Sequence, residues 1–119
     1  MVLTRLVLVS SLLAATVACG KANSPIDPAP NGPSVSIPTG AEFLGKLAFA
    51  PDDLTVDAGA TVTWTNTDSV THTSTSDGAG WNSGNIAPGG HFSAMFSTPG
   101  TFSYHCTIHP GMIGTVTVR

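Results

Sequence analysis

The sequence predicts an all-β protein, a small antiparallel β-sandwich of about seven or eight strands, and three observations lead there. Beyond Gly40 no stretch repeats its apolar residues with helical spacing. Short segments instead alternate apolar and polar residues and are rich in Val and Thr. Turn residues, chiefly Gly, Pro and Asp, interrupt them every several positions. The domain is expected over residues 41–119, about 80 residues, a size at which a hydrophobic core alone is marginal.

The strands follow in order. Phe43 to Phe49 is a first candidate, and Leu54, Val56 and Ala58 then alternate with polar neighbours up to the turn Asp57-Ala58-Gly59-Ala60. In the next strand Val62, Trp64 and Asn66 share one face, with Thr61, Thr63 and Thr65 on the other. Short candidates at His72 to Ser74 and Trp81 to Ser83 lead to His91 to Phe96, where Phe92, Ala94 and Phe96 point one way. After the Pro99-Gly100 turn, Phe102, Tyr104 and Cys106 share a face, and Thr115 to Arg119 closes the domain with Val116 and Val118 inward.

The first third of the chain has a different character. Residues 1–18 read as an export signal, with Arg5 as a short basic start and Leu6 to Ala18 as an apolar run too short to span a bilayer comfortably. Thr16-Val17-Ala18 before Cys19 resembles the lipobox of bacterial lipoproteins, so Cys19 is expected to carry a lipid; the alternatives are simple cleavage of the signal and, third, an uncleaved anchor. Residues 19–40, with Pro25, Pro28, Pro30, Pro33 and Pro38, read as a semi-extended linker that tethers the domain to a membrane. This places the protein in the periplasm or on the outer cell surface, with membrane contact only through that anchor. The formal net charge is −3 and no Lys/Arg cluster exists, so nucleic acid is not an expected partner.

Cys106-Thr107-Ile108-His109-Pro110-Gly111-Met112 carries the chemistry, because it gathers a thiol, an imidazole and a thioether into seven residues. His72 adds a second imidazole from another strand. Two imidazoles and a thiolate with a weak axial thioether form the donor set of a type 1 copper centre that passes one electron at a time. Zinc matches less well, since its structural sites have no use for methionine. Strand parity turns Cys106 inward and His105 outward. With Cys19 lipidated, Cys106 is left as a single thiol, which in an oxidising compartment is a hazard unless buried or ligated. Bound metal would also add to the stability of so small a domain.

These residues, together with Phe49-Ala50-Pro51, the Gly59-to-Asn66 strand, the Pro88-Gly89 turn and the run from Phe96 to Cys106, resemble the cupredoxins of the plastocyanin and amicyanin type. The resemblance covers nearly all of residues 41–119, and the two residues on each side of His109 are similar to the short amicyanin loop. It implies a Greek-key sandwich and one copper ion held by His72, Cys106, His109 and Met112. It also implies that Asn66 hydrogen-bonds between the ligand-bearing segments. The activity implied is electron carriage rather than enzyme catalysis, by a monomer that docks transiently with a redox protein donor and acceptor. His109, with Pro110 and Ile113 beside it, would be the electron port, and such contacts bury less than about 1,200 Å². Thr71 and Thr73 depart from the proline and asparagine often found beside the first histidine, and Ile108 from a proline.

Other residues have plainer readings. His91, His105 and Met95 sit at outward strand positions and are expected on the surface, Trp64 and Trp81 in or beside the core, and Asp52, Asp53, Asp57 and Asp77 at turns. The same donors also suit a copper carrier or store in envelope copper homeostasis. That alternative differs from electron carriage in requiring the ion to exchange.

Overall fold

The computed structural model of the protein describes residues 32–119. The export signal, Cys19 and the greater part of the Pro-rich linker lie outside the described residues. Seven strands form two facing sheets: β1 Ser34–Ile37, β2 Asp53–Val56, β3 Ala60–Asn66, β4 Thr75–Ser76, β5 His91–Phe96, β6 Gly100–His105 and β7 Ile113–Val118. One sheet has the order β1-β3-β5 and the other β2-β7-β6-β4.

Both sheets are mixed, which corrects the purely antiparallel expectation. β1 runs parallel to β3, and β2 runs parallel to β7, while the remaining pairs are antiparallel. β1 also lies inside the segment read as linker, so the ordered domain begins before residue 41. The prolines at 33 and 38 hide a four-residue alternation between them, in which Val35 and Ile37 are fully buried against β3. A Pro at each end is compatible with an edge strand, because neither removes a donor from its middle.

Three expected strands take other forms. Residues 43–49 fold as part of two consecutive 3₁₀ helices, Ala41–Phe43 and Gly45–Leu47, closed by bonds from Leu44 N–H to Ala41 O and from Ala48 N–H to Gly45 O. Their apolar residues are not spaced by two: Ala48 and Phe49 are adjacent and buried, while Phe43, Leu44 and Leu47 are exposed. His72 and Asn82 make only isolated bridges, to Ile86 and Thr75. Elsewhere strand parity describes the molecule well, with Val62, Trp64, Asn66, Tyr104, Cys106, Val116 and Val118 all buried.

The core is largely aromatic. Trp64 lies with ring centroids 5.4 Å from Tyr104, 5.6 Å from Trp81 and 5.9 Å from Phe92, joining the two sheets. Tyr104 pairs with Gly114 across β6 and β7, and a Cβ placed on Gly114 would overlap the Tyr104 ring at Cζ and the phenol oxygen. Glycine is therefore needed at 114 for space. Alanine at a strand position gains about 0.5–1 kcal/mol over glycine. Overpacking costs about 1–3 kcal/mol and outweighs that gain. Gly114→Ala is expected to destabilise the domain by about 1–2 kcal/mol. Urea unfolding of the metal-free protein checks this, and an unchanged midpoint would show that the ring can move aside.

Candidate metal centre

Cys106 follows directly on β6, and the alternation that buries Tyr104 carries its side chain inward at one end of the sandwich. The chain then turns back through residues 107–112 into β7. The Cys106 N–H donates to Met112 O at 3.1 Å and the Met112 N–H to His109 O at 3.4 Å, so the loop closes on itself. Gly111 has φ 92°, a left-handed conformation that lets the turn finish within so few residues. Met112 ends the loop with its side chain fully buried.

His72 arrives from the connection between β3 and β4. Reciprocal backbone bonds with Ile86, at 3.2 and 2.7 Å, fix its position, and its side chain is fully buried. Thr73 ties it to the Cys106 loop in two ways. Its N–H donates to Cys106 Sγ at 3.4 Å, and its Oγ1 accepts from the Thr107 N–H at 2.9 Å. Asn66 is buried as parity requires, but its bonds run to Val70 O, Ile86 O and the Asp68 N–H, all on the His72 side. The link between the two segments expected of Asn66 is made by Thr73 instead.

His72 Nδ1 and His109 Nδ1 are 3.0 Å apart, and His109 Nδ1 and Cys106 Sγ are 3.8 Å apart. One donor atom from each of the three residues lies within 4.8 Å of the others. Each imidazole has a carboxylate behind it. Asp68 Oδ2 is 2.8 Å from His72 Nε2 with both side chains buried, and Glu42 Oε2 is 3.4 Å from His109 Nε2. A carboxylate favours a proton on the ring nitrogen facing it, which leaves the other nitrogen with a bare lone pair. Two imidazole nitrogens and a sulfur then face one another in a small, mostly buried volume, and the mix of two nitrogens with one sulfur fits copper.

Neither carboxylate was singled out as part of the site by sequence reasoning. Asp68 had a usable signal, since it stands four residues before His72, but Asp-Ser after a strand also reads as a simple turn. It accepts further bonds from the Gly40 and Ser69 N–H groups. The His72 hydrogen bond, with these two, holds the Asp68 carboxyl down to about 2 from its usual 3.8, against the opposing effect of burial. Glu42 had no local signal at all.

The remaining residues are distributed as follows. His109 is partly exposed, and Ile108, Pro110 and Ile113 are exposed. His91 and Met95 are exposed, and His105 turns away from the centre to pair with Asp77. Trp81 is half-buried and donates from Nε1 to Ser74 Oγ at 3.0 Å.

Comparison with known proteins points in one direction. The family of copper-binding proteins described as plastocyanin/azurin matches residues 37–119. Plastocyanin of Scenedesmus fuscus is 38% identical over 98 residues, which span 71% of this chain and 99% of that protein. Amicyanin-alpha of Methylorubrum extorquens is 35% identical over 81 residues, 64% of this chain and 68% of its own. Among solved structures, a purple cupredoxin from Nitrosopumilus maritimus superposes with a TM-score of 0.67 at 35% identity, covering 73% of this chain and 99% of that one. A Cu(I) form of an amicyanin variant gives 0.65 at 28% identity, over 78% and 87% of the two chains.

The lowered pKa of Asp68 gives a test of its bond to His72. A carboxyl depressed on folding contributes stability that is full above its unfolded value near 3.8 and is lost as the pH falls through about 2. In the metal-free protein, Asp68→Asn is expected to flatten the fall in unfolding free energy across that window. Denaturant titrations at a series of acidic pH values measure it, and identical slopes for both proteins would remove the assignment.

Proposed function

The chain belongs to the plastocyanin/azurin family of copper-binding proteins, and on that premise we propose that it is a one-electron carrier with a type 1 copper centre held by His72, Cys106, His109 and Met112. The observation that carries the proposal is the convergence of His72 Nδ1, Cys106 Sγ and His109 Nδ1 within 4.8 Å of one another. Bound copper supplies an ion that alternates between Cu(I) and Cu(II) at this point. The protein's part is to hold a donor set that suits both states, so that little rearranges when the electron moves.

Each residue has a separate part in this. The Cys106 thiolate gives strong covalency, and the Thr73 N–H at 3.4 Å withdraws charge from its sulfur. Asp68 fixes the ring of His72 from behind, the carboxylate–imidazole arrangement common around protein-bound metals. Met112, fully buried at the end of the loop, would offer the ion a soft thioether that tunes its potential. His109 lies at the edge of the domain, and the exposed Ile108 and Pro110 next to it in the loop, with Ile113 where β7 begins, give a redox partner an apolar surface. The electron leaves through this imidazole during brief contacts of a monomer with a donor or an acceptor protein.

The export signal over residues 1–18 and the lipobox-like context of Cys19 support a place in the bacterial cell envelope, tethered by a lipid. No helix among the described residues is long and apolar enough to cross a membrane.

Adding Cu(II) to the purified domain is expected to give an intense visible thiolate-to-copper absorption with a stoichiometry of one ion. Cys106→Ser should abolish the colour. Met112→Leu should keep it and raise the reduction potential, because loss of an axial donor disfavours Cu(II). A colourless wild-type protein would end this reading.

A further inference from the structure

The two 3₁₀ helices at residues 41–47 were unexpected, and they lie against the Cys106–Met112 loop. A Cβ placed on Gly45 would be 3.9 Å from the carbonyl oxygen of Gly111. The first helix sets Glu42 Oε2 3.4 Å from His109 Nε2, with the two side chains 27% and 22% exposed. The neighbouring residues are apolar and project into solvent: Phe43 is 83% exposed and Leu47 59%. A carboxylate therefore stands beside the outer edge of His109, in a segment whose other exposed residues are Phe43, Leu44, Leu47 and the cation Lys46.

Stability does not account for it, since partly exposed ion pairs contribute little. Its position suits a different purpose. Asp68 backs the buried imidazole and Glu42 stands behind the exposed one, so each ring has a carboxylate at Nε2 and its Nδ1 on the side of the Cys106 sulfur. Asp68 is shut inside the domain, whereas Glu42 faces whatever docks.

We propose that Glu42 is a positioning and selectivity residue of the electron port. Its carboxylate orients His109, lowers the reduction potential and favours cationic redox reagents over anionic ones. The inference rests on the copper-carrier reading above. The sign follows from Coulomb's law: the oxidised centre carries one more positive charge than the reduced one, so a nearby negative charge stabilises it and lowers the potential. The same charge raises the local concentration of a cationic partner and repels an anionic one.

The test uses copper-loaded Glu42→Gln, which keeps the shape of the side chain and removes its charge. Asp57→Asn is the control, making the same change in net charge at the turn before β3, whereas the metal centre lies beyond the other end of that strand. Voltammetry should show a higher potential for Glu42→Gln and little change for Asp57→Asn. Stopped-flow oxidation by a cationic cobalt(III) tris-chelate and by ferricyanide should show the cation-to-anion rate ratio falling about two- to fivefold in Glu42→Gln alone. The ratio separates the local charge from the change in driving force, which slows both oxidants. An unchanged potential and ratio in Glu42→Gln, or equal shifts in both variants, would overturn the proposal. Either result in a protein that takes up copper and colours normally leaves the carrier reading standing, whereas a colourless wild-type protein would defeat both.

Discussion

Three donor atoms, the Nδ1 nitrogens of His72 and His109 and the Sγ of Cys106, are packed within 4.8 Å of one another at one end of the sandwich. Much of the surrounding structure exists to maintain that crowding. Asp68 and Glu42 set the outward edges of the imidazoles, Thr73 donates to the sulfur, and the loop bond from Cys106 N–H to Met112 O keeps the approach short. The donors are therefore held close together by the protein's own hydrogen bonds before any ion arrives, which favours metal binding. Metal affinity and folding are thereby linked, because the same contacts that define the domain define the site.

The sandwich supplies rigidity to this end of the molecule. β6 and β7 are paired over their full length and lead directly into and out of the Cys106–Met112 loop, so its ends cannot separate. Behind them, Trp64, Trp81 and Tyr104 fill the space between the sheets with large rings that have few conformations to exchange. Gly114 shows how close that packing is, since one more carbon would strike the Tyr104 ring. A stiff scaffold suits electron transfer, in which the donors should not move between oxidation states.

Each histidine faces a carboxylate, His72 through a buried 2.8 Å hydrogen bond and His109 at 3.4 Å, but the two are placed differently. His72 is sealed inside with its carboxylate, and His109 is partly exposed with Glu42 beside it. One imidazole is thus structural in character while the other meets the partner. The 3₁₀ segment at residues 41–47 makes the difference, because it brings Glu42, Phe43 and Leu47 to the loop from a distant part of the sequence.

The sequence alone determined the parts that depend on short-range pattern. Alternation over β3, β5, β6 and β7 fixed which side chains face inward, among them Cys106 and Asn66, and turned His91 and His105 outward. The donor types and their spacing named His72, Cys106 and His109, which lie together at the centre. Only the tertiary structure decided the rest: that Ser34–Ile37 is a parallel strand despite its flanking prolines, that residues 41–47 coil as 3₁₀ helices, that Thr73 rather than Asn66 joins the ligand segments, and that Asp68 and Glu42 stand behind the histidines. The reason is physical. Side-chain parity is a property of one strand and is written in adjacent residues. Strand partners and the groups that back a ligand are chosen by packing between segments far apart in the chain, where no local pattern records them.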